Sequence, residues 1–264
     1  MLMEPIALGT AVARYVSKQL ASRFGKSVIE RWTRHRAERF FDSLVEALGV
    51  ESSSGTENAR IDTLLEEILS DEKKSEALFD AYRRVCFSRS RDLGPRIIGL
   101  LTGRLVREGR MADEGEEKVF QAAELLGDGE LLSFFKTYSD FVQKAAQEQK
   151  SKEHYYEGED LVAVWNEETR DSSWQHSKES EIEVGSLDLG LALGYWAVKL
   201  QSCNLLADRV THRQQEYKED SERHIDEGGV LSIYRWSLVF SSSCATLHEL
   251  VARSLARQNP EGHR

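Results

Sequence analysis

Residues 94–110 read GPRIIGLLTGRLVREGR, and the way this stretch folds governs the reading of its neighbours. Pro95, directly after Gly94, predicts the first turn of a helix, where a missing N–H leaves no hydrogen bond unmade. Ile97, Ile98, Leu100, Leu101 and Leu105 then point inward at helical spacing, and Arg96, Arg107 and Arg110 share the outer edge. Gly99 and Gly103 lie one helical turn apart, which permits close approach by another helix backbone and reads as core packing. The apolar run from Ile97 to Val106 holds Arg104 and falls well short of the roughly 20 residues that cross a bilayer, so no membrane span is expected.

Working outward, the same helical period recurs. Residues 6 to 48 read as one long helix or two in series, jointed at Gly25, with a basic amphipathic face from Arg14 to Arg39. Glu51 to Thr56 is a loop, and Asn58 offers a cap to a helix that places Ile61, Leu64, Leu65, Ile68 and Leu69 on one face. Ser70 is the expected cap of the next helix, which turns Leu78, Phe79, Tyr82, Val85 and Cys86 inward. Further helices are predicted from Asp113 to Leu126, stopped by Gly127, and from Asp128 to about Gln149. The chain holds three prolines, at Pro5, Pro95 and Pro260, so little interrupts these helices. Residues 1–150 are therefore expected to form an all-α helical bundle.

Composition changes near residue 147, where a polar, charged stretch marks the expected boundary to a C-terminal domain, 151–264. Leu161 to Trp165 reads as a strand or a buried helix segment, and Asn166 to Ser180 as loop. Ser186 is the expected cap of a helix carrying Leu189, Leu193, Trp196, Ala197, Leu200 and Leu205 on one stripe. A polar span from Asp208 to Gly229 follows. Val230 to Phe240 then has the β-type content of Ile233, Tyr234, Trp236 and Val239, and a final helix runs from about Ser242 to Gln258.

Helix, polar hairpin-like excursion, strand, helix is the order at the end of a winged helix. The last strand reads Tyr234-Arg235-Trp236-Ser237-Leu238-Val239-Phe240. It resembles the Tyr-x-Leu-Thr-x-x-Gly ending of many uncharacterised bacterial helical proteins that close in a winged-helix-like unit. Trp236 and Ser237 stand in the Leu and Thr places, and Phe240 stands where that pattern has glycine. The resemblance covers about residues 186 to 250. It implies a mainly α fold, a helical bundle followed by a smaller, winged-helix-like α+β C-terminal domain.

The formal net charge is -10, which repels a phosphate backbone at long range and leaves nucleic-acid binding to local basic patches. Cys86, Cys203 and Cys244 are odd in number and far apart, against a disulfide framework and in favour of reduced thiols in a cytoplasm. Met1 to Ala13 places Glu4 where a secretion signal needs positive charge.

Chemical motifs fail in turn. His248-Glu249 opens like a zinc-protease helix, but Ala252 occupies the place of the second ligand. The seven histidines show no pair spacing suited to one helical face, and Ser241, Ser242 and Ser243 read as a turn and cap, outside any GxSxG elbow. Asp208 with Glu216-Tyr217-Lys218 has the residue types of a metal-nuclease set, but charge-rich chains produce such triplets by chance. No catalytic residue, metal or cofactor is called for.

Arginine is the strongest surface signal. Arg83, Arg84, Arg89, Arg91, Arg96, Arg104, Arg107 and Arg110 occur with no lysine between Lys74 and Lys118. The planar guanidinium suits carboxylates, phosphates and protein interfaces, and Arg89, Arg96, Arg107 and Arg110 are the candidate binding residues. The competing explanation is ion pairing with the acidic segments at 51–80 and 113–130. Trp174, among polar neighbours, is a candidate contact residue; Trp32, Trp165, Trp196 and Trp236 are expected in cores. These features favour a non-catalytic protein-interaction module that binds a protein partner or forms a homo-oligomer through segregated basic and acidic helical faces. The alternative is a winged-helix DNA-binding regulator, linked to a phage-defence or mobile-element system. It is disfavoured because Lys199 is the only basic residue between Ser186 and Ala207.

Overall fold

A computed structural model describes residues 34–49, 66–147, 153–171, 186–217 and 229–257. The chain is mainly helical, with a four-stranded antiparallel sheet in its C-terminal part. It divides into two compact units, residues 1–136 with 243–264, and residues 137–242. The last helix belongs to the first unit, whereas the sequence reading had placed it at the end of the second domain.

In the first unit, α1 (Arg34–Ala47), α2 (Glu72–Phe87), α3 (Leu93–Glu108), α4 (Glu114–Leu125) and the start of α5 (Asp128–Gln147) pack with α8 (Ser243–Ala256). The expected helices are present wherever their residues are described. The N-terminal segment before Arg34 and most of the helix expected from Asn58 lie outside the described residues. Asp71, rather than Ser70, caps α2: its carboxylate accepts from the Lys74 N–H, while the Ser70 hydroxyl donates back to the Glu67 carbonyl. Asp113 and Glu116 form a reciprocal capping box at the start of α4.

Helix α3 is the axis of this unit. Burial extends round nearly its whole circumference, from Leu93 to Val106, which marks a helix enclosed by others on all sides. α1 lies directly against it, because a Cβ at Gly99 would collide with the Phe40 carbonyl and one at Gly103 with the Ala47 Cβ. This enclosure overturns the expected outer-edge position of Arg96, which is only 6% exposed. Its Nη1 donates to the Ser254 carbonyl of α8 at 3.2 Å.

The second unit is built on strands β1 (His154–Glu157), β2 (Asp160–Asp171), β3 (Leu206–Tyr217) and β4 (Gly229–Phe240), in the order β1-β2-β4-β3. Phe141, near the end of α5, and Tyr138 pack on Phe240, with ring centroids 5.8 and 5.5 Å apart. Leu161, Ala163 and Leu238 are buried beside Phe240. Asn166 to Asp171, expected as loop, continue β2 in register with β4 from Trp236 to Leu231. Their alternation carries no apolar signal because this half of the strand is largely exposed. The first part of the polar span after Asp208 is likewise a strand, pairing from Leu206↔Phe240 to Tyr217↔Gly229, and residues 218–228 lie outside the described residues.

Between the hairpins, the single helix expected from Ser186 is two short ones, α6 (Leu189–Ala192) and α7 (Tyr195–Ser202). Asp188 caps the first, through the Leu191 N–H. Gly194 separates them with φ 103°, a conformation that glycine adopts without a Cβ penalty. Leu205 falls beyond α7 and is buried.

Candidate functional site

The arginine run is drawn mostly into internal pairs. Arg84 Nη2 donates to Glu117 Oε2 at 2.6 Å and its guanidinium lies 5.1 Å from the Phe120 ring centre. Arg110 binds Glu116 through two nitrogens, at 2.6 and 2.7 Å, and Glu108 at 2.7 Å; Arg104 pairs with Glu116 as well. Burial by itself would raise the Glu116 carboxyl. Hydrogen bonds from Arg110, the Asp113 backbone and Arg104 outweigh it and hold the group at about 2. The Glu116 hydrogen bond raises the Arg110 guanidinium above its ordinary value.

Arg107 lies exposed at the end of α3 and donates to the Ala47 carbonyl, the last residue of α1, at 3.3 Å. Lone carbonyls at a helix end favour such a cation. Arg96 is held below the usual arginine range by burial and then by Arg39 and Arg257 nearby, with Asp42 and Asp92 opposing. Arg89 and Arg91 project from the turn 88–92 with exposed side chains that have no hydrogen bond or ion pair among the described residues. The turn itself is pinned by Asp128, whose carboxylate accepts from Ser90 Oγ and from the backbone N–H groups of Arg91, Asp92 and Leu93. The candidate residues Arg89, Arg96, Arg107 and Arg110 are thus not brought to one open surface. Trp174 lies outside the described residues.

The second unit carries apolar surface that the sequence reading did not single out. Leu191 is 87% exposed and Tyr195 69% exposed, and Val198 is exposed one turn further along α7. Leu191 lies on α6, and Tyr195 and Val198 stand at i and i+3 on α7, where Trp196 and Leu200 are buried. Val198 Cγ2 would stand 3.6 Å from a Cβ built at Gly190, so α6 and α7 approach each other beside this exposed set. Its signal was legible as a second apolar repeat out of phase with the first. Lys199 Nζ lies 5.5 Å from the centre of the Tyr195 ring.

Protein families, curated proteins and solved structures give no match to this chain. The site is therefore read from its chemistry. Among the described residues no group of three His, Cys, Asp or Glu side chains is placed to hold a metal ion. No described helix is long and apolar enough to cross a membrane. Of the tryptophans expected in cores, Trp196 is buried and Trp236 half-buried, Trp32 lies outside the described residues, and Trp165 is 43% exposed. It stands at the irregularity between Val164 and Asn166 in β2.

Proposed function

We propose that this chain is a protein-interaction module that binds a partner or a second copy of itself. The observation that carries the reading is the exposed Leu191–Tyr195–Val198 stripe on α6 and α7. An aromatic and aliphatic cluster left in water is the usual anchor of a protein interface, where burial removes apolar area from solvent. The internal pairing of Arg84, Arg104 and Arg110 moves the binding surface away from the arginine run and onto this stripe. Arg89 and Arg91 remain as exposed cations in the other unit.

The experiment compares wild type with the double variant Leu191→Ser/Tyr195→Ser in affinity purification and in sedimentation. Loss of a co-purifying protein, or of self-association, at unchanged helical circular dichroism supports the module. An identical set of co-purifying proteins and an identical mass in both would sink it.

The winged-helix-like reading draws support from the order of α7, the β3–β4 hairpin and α8, and with it the DNA-binding alternative. That alternative is weaker. Lys199 is the one basic residue of α7, whereas recognition helices bring several phosphate or base contacts. Anisotropy of a labelled duplex at low salt tests it, since non-specific phosphate contacts are strongest there.

A further inference from the structure

The turn that joins α2 to α3 is anchored from within and cationic on its outside. From Phe87 to Arg91 the side chains alternate: Phe87 is 58% exposed, Ser88 buried, Arg89 exposed, Ser90 buried and Arg91 exposed. Both serines are bonded inward. Ser88 Oγ donates to the Ala123 carbonyl at 3.1 Å, and Ser90 Oγ donates to Asp128 while accepting from the Gly94 N–H at 2.6 Å. The backbone is fixed as well, with the Arg89 N–H on the Glu124 carbonyl and the Arg91 N–H on Asp128, each at 2.9 Å. Anchored at every second residue, the segment displays Phe87, Arg89 and Arg91 as a row whose successive Cα atoms lie at most about 7 Å apart.

The charge of this row is not spent inside the molecule. The side chains of Arg89 and Arg91 have no hydrogen bond or ion pair among the described residues. Carboxylates close by in the chain are engaged elsewhere: Asp128 by Ser90 and the backbone, Asp92 by His35 and Arg39, and Glu130 by the Gly127 N–H. Glu124 is half-buried and forms no ion pair with either arginine. Arg83, one turn before Phe87, is 60% exposed, but Asp80 lies 3.6 Å from it and offsets its charge. The surface therefore offers two unpaired guanidiniums beside an exposed phenyl ring.

Spacing and charge narrow what fits. In an extended peptide, side chains at i and i+2 lie on one side about 6.5 Å apart, so carboxylates at alternate positions meet Arg89 and Arg91 together. A nucleic-acid strand also repeats its charge, but the net charge of -10 opposes a long polyanion more than a segment with two carboxylates.

We propose that the Phe87–Arg89–Arg91 row receives an extended acidic segment of a partner protein, with carboxylates at alternate residues on the two arginines and an apolar side chain on Phe87. Because Ser88, Ser90 and Asp128 order the row before a partner arrives, binding does not have to immobilise its backbone. The row belongs to the first unit and the α6–α7 stripe to the second, so either surface can fail without the other.

The test uses the full chain and fluorescence anisotropy of labelled, terminally blocked peptides at low salt. The acidic probe is Leu-Ser-Glu-Ser-Glu-Ser-Leu, which reads the same in both directions. One control has lysine in place of glutamate, and a second, Leu-Ser-Ser-Glu-Glu-Ser-Leu, keeps the charge but puts the two carboxylates on opposite sides. The acidic probe is expected to bind, the lysine control to fail, and the adjacent-glutamate control to bind about tenfold more weakly. Arg89→Gln/Arg91→Gln and Phe87→Ser should each weaken the acidic probe about tenfold or more with the circular dichroism unchanged. No binding of the acidic probe, or an affinity unmoved by either variant, would overturn the proposal. Equal binding of the two glutamate peptides would reduce the effect to charge attraction and overturn the extended register. A labelled thymidine oligonucleotide that binds more tightly than the acidic probe and is displaced by the same variants would give the row to nucleic acid instead.

Discussion

Arg110 grips Glu116 with two nearly parallel hydrogen bonds, Nη1 to Oε2 at 2.6 Å and Nη2 to Oε1 at 2.7 Å. The carboxylate is buried while the guanidinium reaches solvent, so one charge is desolvated and the other is not. Arg104 and the Asp113 N–H complete the set around the same two oxygens. The cluster ties the end of α3 to the start of α4.

Glu116→Gln should therefore lower stability by on the order of 2 kcal/mol at neutral pH, discounted from the full shift because both arginines are partly exposed. The folded carboxyl titrates at about 2 against an ordinary 4.5. A depressed carboxylate contributes stability that is fully present above 4.5 and lost as pH falls toward 2. Urea melts of wild type and variant across that window should converge at the acid end; parallel curves would show that Glu116 is not the titrating group.

Asp128→Ala should cost about 2 kcal/mol, because the N–H groups of Arg91, Asp92 and Leu93 would lose their shared acceptor at the start of α3. Burial opposes ionisation of Asp128, but the bonds from Ser90 and these backbone groups hold its carboxyl below the usual range. Asp128→Asn keeps one acceptor oxygen and should lose less. Hydrogen exchange at residues 91–93 checks the assignment: faster exchange there, with α5 unaffected, is the expected result.

Gly99→Ala should destabilise by about 1–3 kcal/mol or prevent folding, since the added methyl meets the backbone of α1 rather than a side chain able to turn away. The same change at Gly129, whose Cβ would meet nothing, should be tolerated. Thermal melts of the two variants separate close packing from any general effect of replacing glycine.

Arg96→Met should stay within about 1 kcal/mol of wild type, because a buried guanidinium loses to burial much of what it gains from Asp42 and Asp92. Arg96→Ala removes the same charge and leaves a hole, at about 2–4 kcal/mol. Equal losses in both, by chemical denaturation, would show that the charge itself holds α3 to α8.

The helices of the first unit were legible because their caps and apolar periods are local: Pro95, the Asp113–Glu116 pair and the stripe from Leu131 to Tyr138 each act within a few residues. Arg96 was misplaced for the opposite reason. Its burial depends on α1 and α8, which lie far away in the chain, and a helix enclosed on every side shows no polar face to read. The outer halves of β2 and β3 escaped because exposed strands held by backbone pairing need no apolar alternation. Trp165 was expected inside because its residue type favours a core, and the bulge that re-aims it leaves no mark in sequence. Leu191, Tyr195 and Val198 were passed over because the one stripe read in that segment was Leu189, Leu193, Trp196, Ala197, Leu200 and Leu205.

The first unit includes α8, whose residues follow the whole of the sheet in the chain. Ser254 accepts from Arg96, and Arg257 donates to the Asp42 carbonyl and pairs with Glu46, so α8, made after the sheet, packs back onto α1 and α3. During synthesis, Arg96 is therefore made without its carbonyl acceptor, and the bundle waits for more than the length of the intervening unit to leave the ribosome. A domain split in this way cannot mature from its beginning onward. Its earlier helices, once made, lack the contacts that α8 supplies until α8 itself has been synthesised.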